Sequence, residues 1–401
     1  MNKFMINRFQ DYFAYYFLCL AIVFFLFNYF IEKVFGLSGY VFGGAALLIS
    51  FFFNEKRNNI SLRFFIIITI ILMSVCFHFI KNGYVQTGFY ESFLSCIFFP
   101  SLAYLSSLRP YYHERLIKFI AYTGIISFAG SILYFASIFG NIPYPFNEAF
   151  AAEFTSTGEN IQLKNVSIYG NSLVFGGISL IQASCCAYLL GKKPTTLLWV
   201  LFLICSICVF SSLARRAYVP LFLIIIYLFF ESNYFTRTVL LSIFIVLIII
   251  LLALFPEIYK SIVLRVTSIF NFFDNSSGNI SRIKFMLEGI KIIFENPFGV
   301  GLGSLSSMGK EFDTISTAVG FYTVTESFYL TLIGEIGLFQ SISIGLLLIG
   351  TYKHLFTKRY LRYILTPLLL ESVMGLSLLN PIIAIVVYNI CLTEVKNEDI
   401  S

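Results

Sequence analysis

Charge is what this sequence has least of. Only 12% of its 401 residues are Asp, Glu, Lys or Arg, about half of the roughly 25% carried by soluble domains. That complement cannot cover a water-facing surface, so a soluble globular enzyme is excluded. The long polar segments have no cysteine: Cys19, Cys76, Cys96, Cys185, Cys186, Cys205, Cys208 and Cys391 all fall within apolar runs. A disulfide-stapled secreted scaffold is therefore excluded, and these thiols read as small buried hydrophobes. The Cys205–Cys208 pair has CxxC spacing, but with no second pair it suggests neither zinc nor redox chemistry. Apolar side chains are abundant, at 58% of the chain with 48 Phe, which excludes disorder.

The apolar residues come in long runs. A helix needs about 20 of them to cross the hydrocarbon core, and in lipid every backbone polar group must be paired within the structure. Twelve runs qualify: 12–31, 36–53, 63–80, 89–107, 116–139, 169–190, 196–213, 217–231, 238–256, 326–350, 361–379 and the short 381–393. The expected fold is all-α, a polytopic membrane bundle of about 12 transmembrane helices with one large outer loop. It divides into spans one to nine (1–256), the loop (257–325), and the last three spans with the C-terminus (326–401). Lys3 and Arg8 precede a first run too long for a signal-peptide core, and no small-residue cleavage site follows it, so that span is retained.

The net charge of +6 is more informative when sorted by loop. With the N-terminus inside, the inner segments hold Lys56, Arg57, Arg109, Arg115, Lys118, Lys192, Lys193, Arg237, Lys353, Lys358, Arg359 and Arg362, among others. The short outer loops hold Lys33, Lys81, Lys164, Arg215 and Arg216. By the positive-inside rule both termini are cytoplasmic. The basic residues lie between apolar runs rather than on one face, so they do not suggest nucleic-acid binding.

The outer segments carry the candidate chemistry. In 281–295, Ile283, Met286, Leu287, Ile290, Ile293 and Phe294 recur at helical spacing, opposite Lys284, Glu288, Lys291 and Glu295. This predicts an amphipathic helix over the outer membrane face, with Ser281 as N-cap. Gly299-Val300-Gly301-Leu302-Gly303-Ser304 follows. With a helix before it rather than a strand, it is not a dinucleotide site; it reads as a turn where backbone approaches something closely. Arg215, Arg216, Arg265 and Arg282 all fall on the outer side, where arginine either snorkels to headgroups or clamps a phosphate through its planar fork. Glu91, Glu326, Glu335 and Glu371 lie in or at the edges of spans, where an acid is expensive and marks a functional hypothesis. Glu335 is expected to meet a basic or hydroxyl group. His78 reads as a packed, hydrogen-bonded histidine.

Taken together, Ser212-Leu213-Ala214-Arg215-Arg216-Ala217, Ser281-Arg282 and Glu295-Asn296-Pro297-Phe298-Gly299-Val300-Gly301-Leu302-Gly303-Ser304 resemble the O-antigen polymerase and ligase superfamily. The motif resemblance covers about residues 205–345, and the topology resemblance the whole chain. Ligases of that group carry a His at the junction between the loop and the following span; Glu326, Ser327 and Gly337 occupy the corresponding positions here. The missing His favours a polymerase (Wzy-type), with O-antigen ligase and lipid-linked oligosaccharide flippase as alternatives. The resemblance implies a glycosyltransferase in the bacterial inner membrane; with no Asp-x-Asp or His cluster in the outer loops, it is expected to be metal-independent and without cofactor. It would polymerise surface polysaccharide from undecaprenyl-pyrophosphate-linked repeat units, beside a chain-length regulator. Arg215 and Arg282, with Arg216 and Arg265 as neighbours, would hold the pyrophosphate, and Glu326 would act as the base.

Reporter fusions within 257–325 are expected to report the non-cytosolic side, and fusions after Lys193 or Lys358 the cytosol. A cytosolic signal from 257–325 would remove the arginines from the donor's side.

Overall fold

The computed structural model describes residues 3–54, 62–82, 89–106, 110–140, 165–231, 279–305, 327–352, 361–373 and 381–386, with isolated helical positions between 237 and 263. Every regular element among them is helical: α1 (Lys3–Leu26), α2 (Asn28–Phe35), α3 (Gly39–Phe53), α4 (Leu62–Asn82), α5 (Phe89–Phe93), α6 (Phe99–Leu105), α7 (Pro110–Gly140), α8 (Ser172–Lys192), α9 (Thr196–Ser211), α10 (Arg215–Glu231), α11 (Asn279–Glu295), α12 (Phe328–Ile336), α13 (Leu338–Tyr352), α14 (Thr366–Val373) and α15 (Pro381–Ala384). Single π-turns at Leu94–Phe98 and Leu361–Leu365 lead into α6 and α14, and a 3₁₀ turn at Ser167–Tyr169 precedes α8. Within these residues, Phe9–Leu26, Tyr112–Ser137 and Ser172–Lys192 are each long and apolar enough to cross a membrane. The pair α2 and α3, bent by 118°, makes a fourth if taken as one span. Most of the runs 238–256, 140–168 and 257–325 lies outside the described residues.

Helix α8 is the hub. It is apolar around its whole circumference, and from Phe175 to Leu190 it is buried throughout, as a helix with no polar face must be. It packs against α7, α9, α10 and α14. Helix α10 contributes Ala217, Tyr218, Leu221, Ile224 and Leu228 to the same core, at the spacing of one helical face. Its other face, with Val219, Ile226 and Phe230, is exposed and equally apolar, as expected of a surface solvated by lipid. Polar glue links the hub to α7: Ser127 donates to Gln182 Oε1 (2.9 Å), Gln182 Nε2 donates to Thr123 Oγ1 (3.1 Å), and the Ser127 and Tyr169 hydroxyls are bonded at 2.7 Å.

Contacts between charged residues show which helix ends lie together. Glu114, near the start of α7, pairs with Lys118 (3.2 Å) and with Lys192 at the end of α8 (3.6 Å). A Cβ at Gly191 would lie 3.5 Å from the ring of Tyr363. Tyr363 donates to Glu231, the last residue of α10, at 3.0 Å, and Arg362 pairs with the same carboxylate. The ends of α8 and α10 and the approach to α14 therefore gather at one end of the bundle. The starts of α8 and α10 lie at the other end, about 25 Å away for the 17 residues of α10.

The run 326–350, read from sequence as one span, is broken at Gly337, which has φ +101. The glycine-rich turn fills the break. Helix α12 ends with four carbonyls that have no helical continuation to pair with, and each has a donor: Gly337 N–H for Ile333 (2.9 Å), Val300 N–H for Gly334 (2.9 Å), Gly301 N–H for Glu335 (3.0 Å) and the Ser74 hydroxyl for Ile336 (3.1 Å). Leu338 N–H, at the start of α13, donates to Pro297 O (2.8 Å). The Glu335 carboxylate accepts from Leu305 N–H (3.1 Å), which ties the end of the glycine-rich turn to α12. His78 holds the turn from α4, with Nε2 2.9 Å from Gly299 O and Nδ1 2.7 Å from Ser74 O, the packed histidine its sequence context indicated. The thing closely approached by the glycine run is this helix break. Its amides at 299, 300, 301, 304 and 305 all donate to protein acceptors.

Helix α11 starts at Asn279, two residues before the expected N-cap Ser281. Its apolar stripe is split. Ile292 and Ile293 are buried, with Ile292 clustered with Val300 and Leu305, while Leu287, Ile290 and Phe294 remain exposed. Lys291 and Glu295 pair at 3.9 Å on the polar side.

A Cβ at Gly299 would sit 2.5 Å from Glu335 O, and one at Gly337 2.5 Å from Phe298 C, both at positive φ. Gly299→Ala and Gly337→Ala are each expected to lower stability by about 3 kcal/mol, read as the unfolding midpoint in detergent. An unchanged midpoint would mean that the turn does not close the break as described.

Candidate anion-binding site

A strained turn delivers two arginines to the start of α10. Leu213, buried and β-unbranched but bulky, is held at φ +53, a conformation that costs roughly 1–3 kcal/mol and persists only when its surroundings impose it. They do so from several sides. Ser212 donates to Val209 O (2.7 Å) and accepts from Ala214 N–H (3.2 Å). Asn165 donates its backbone N–H to Ser211 O and its side-chain amide to Ser211 Oγ, both at 3.1 Å. Tyr218 donates back to Phe210 O at 3.0 Å. On α8, a Cβ at Gly176 would lie 2.6 Å from Ala214 Cβ, so only glycine lets the hub come this close. Arg215 and Arg216 are then the first two residues of α10.

Arg216 turns inward to a buried acid. Its Nε lies 2.7 Å from Oε1 of Glu371 on α14, as an ion pair whose N–H falls outside hydrogen-bond alignment. Its Nη2 donates to Leu173 O in the first turn of α8 (3.0 Å). The Glu371 side chain has 0% exposure and the Arg216 side chain 14%. Either charge alone is costly in a span, on the order of 3 kcal/mol on insertion scales, and a pair removes most of the need for solvent. The carboxylate also offsets the positive end of the α10 dipole, on which two arginines are otherwise poorly placed. From α12, Tyr329 donates to Leu369 O (3.1 Å) and is close enough to Glu371 to feel its charge. This brings the segment just after Glu326 to the same corner.

Among the residues singled out from sequence, the structure joins Arg216 to Glu371 and places Arg215 beside them in the chain. Arg282 is the fourth residue of α11. The side chains of Arg215 and Arg282 lie outside the described residues, as do Glu326 and Arg265 entirely. Pro220 is the sixth residue of α10; having no N–H, it cannot donate to Arg216 O. Leu173 and Tyr329 were not anticipated as site residues. Tyr329 carried a usable signal, three residues after the acid at the loop–span junction; the carbonyl of Leu173 carried none.

Comparison of the chain with known protein families, curated proteins and solved structures finds no match.

Arg216→Leu strands Glu371 where it has no exposure, and is expected to cost about 3–5 kcal/mol of stability. The double replacement Arg216→Met with Glu371→Leu is expected to recover most of that loss. Unfolding in detergent measures both, and a neutral Arg216→Leu would argue against a buried pair.

Proposed function

We propose that this protein is an inner-membrane glycosyltransferase that polymerises O-antigen or a related surface polysaccharide from undecaprenyl-pyrophosphate-linked repeat units at the periplasmic face. The observation that carries the reading is the strained, over-determined Ser212–Ala214 turn, which sets Arg215 and a partly exposed Arg216 at one end of the bundle. Support also comes from the resemblance of that turn, of Ser281-Arg282 and of the Asn296–Ser304 run to the polymerase and ligase superfamily, and from the apolar helices suited to a membrane. About twelve spans, cytoplasmic termini and a periplasmic 257–325 segment complete the reading.

In this mechanism a sugar hydroxyl of the incoming repeat unit attacks the anomeric carbon at the end of the growing chain. The new C–O bond forms as the bond to pyrophosphate breaks, the leaving pyrophosphate takes the electron pair, and Glu326 takes the hydroxyl proton. Charge on the leaving group rises during the step, so cations already in place favour the transition state. Glu371 neutralises much of the charge of Arg216, which leaves most of the net positive charge to Arg215, Arg265 and Arg282. Partners would be the lipid-linked donor and acceptor, surrounding membrane lipid and a chain-length regulator.

A second reading, a flippase for lipid-linked sugars, draws on the broken helix at Gly337, since interrupted helices line substrate paths in transporters. The lipopolysaccharide banding of a deletion strain separates the readings. Loss of a polymerase leaves single repeats on lipid A, loss of a ligase leaves none, and loss of a flippase strands repeats inside.

Arg215→Ala and Arg282→Ala are expected to abolish long chains while the protein still inserts, read by banding together with membrane immunoblotting. Normal chain lengths in both would remove the clamp. Full activity in Glu326→Gln would remove the base assignment alone.

A further inference from the structure

The surroundings of Arg216 at the start of α10 assign a role to an acid that the reaction itself does not use. A guanidinium offers five N–H bonds in a fixed plane. Arg216 places Nε 2.7 Å from the Glu371 carboxylate as an ion pair and rests Nη2 on Leu173 O (3.0 Å). Glu371 has no exposed side-chain surface, whereas Arg216 retains 14%. The carboxylate therefore lies behind the guanidinium, and the exposed remainder belongs to the arginine. Glu371 cannot touch a ligand from there, but Arg216 can.

We propose that Glu371 is a positioning residue for a diphosphate site, holding Arg216 by its Nε edge so that the Nη edge is presented outward to a diphosphate-bearing ligand. This rests on the reading of the corner as a pyrophosphate site. Three helices make the arrangement rigid: α10 carries the arginine, α14 the carboxylate and α8 the carbonyl. A long arginine side chain loses rotamer freedom when it binds, and a partner that fixes it beforehand removes that loss from the binding step. Groups behind a liganding side chain orient it in the same way at metal sites, where their removal weakens binding about tenfold or more.

Simple electrostatics argues the other way, because a carboxylate beside an anion site repels the anion. The sign of the effect therefore decides. The test uses the full chain in nanodiscs, with inorganic pyrophosphate and farnesyl diphosphate as probes. Wild type is expected to bind, and Glu371→Gln to bind about tenfold more weakly. Glu371→Asp keeps the charge but draws it back by one methylene, and it is expected to lose a similar factor. In an Arg216→Lys background, which has no fork to orient, Glu371→Gln is expected to cost nothing further. Preference for farnesyl diphosphate over the inorganic probe identifies the membrane as the ligand's source, and the reverse preference a soluble diphosphate. Binding by Glu371→Gln as tight as or tighter than wild type overturns the proposal, as does an undiminished loss in the Arg216→Lys background. If Glu371→Gln does not fold, unchanged binding by Glu371→Asp overturns it. Wild type that binds neither probe overturns both this role and the clamp. Wild type that binds, in a strain whose banding contradicts a polymerase, leaves the role of Glu371 standing and removes only the polymerase reading.

Discussion

Hydrocarbon offers no hydrogen bonds, and the structure is organised around that fact. A continuous helix meets the constraint along its own axis, which is why α8 can be apolar on all sides and still sit at the centre. Wherever a helix stops inside the bundle, the orphaned groups must be met by something else. At the end of α12 they are met one by one, by two amides of the glycine-rich turn, by the amide of Gly337 and by the hydroxyl of Ser74. The same accounting applies at the α9–α10 turn, where Asn165, Ser212 and Tyr218 engage the groups that the reversal exposes. The irregular segments are thus as fully specified as the helices, and they are where the candidate chemistry lies.

Some of this was legible in the sequence. The apolar runs gave α3, α4, α8, α9 and α10 with boundaries close to those observed, because lipid selects for composition over a whole window, whereas the run 12–31 crosses the break between α1 and α2. The glycine run announced a close approach, and His78 a packed side chain, because both properties belong to the residue types themselves. Breaks were less visible. Gly337 lies inside an apolar run of spanning length, and a period-based reading cannot see that the backbone leaves the helix there for partners more than thirty residues upstream. The split stripe of α11 was hidden for a related reason. In a membrane protein the lipid-facing side of a helix is as apolar as its buried side, so Phe294, 73% exposed, carries the same signature as Ile293.

The partner of Glu371 was illegible for another reason. Sequence showed an acid in a span, and it showed Arg215 and Arg216 at a span terminus, but 155 positions separate Glu371 from Arg216. Only the packing of α14 against α10 joins them. Nor could sequence separate the two arginines, which share a composition, a loop and a side of the membrane.

A guanidinium held in this way is a more specific device than a patch of positive charge. A patch binds any anion and is screened by salt. Arg216 is different, because its charge is already balanced and what it adds at short range is direction, through a planar fork backed by a carboxylate and braced by a carbonyl. The strain at Leu213 makes sense in the same terms. A relaxed turn would let the start of α10 move, and an arginine on a moving helix end cannot favour one position of a diphosphate over another. Gly176, the one residue type that lets α8 come against Ala214, transmits the stiffness of the most buried helix to that turn. The rigidity of the apolar core thus becomes positional accuracy at the site, and the energy stored at Leu213 is the cost of fixing charged groups where the membrane provides no water to orient them.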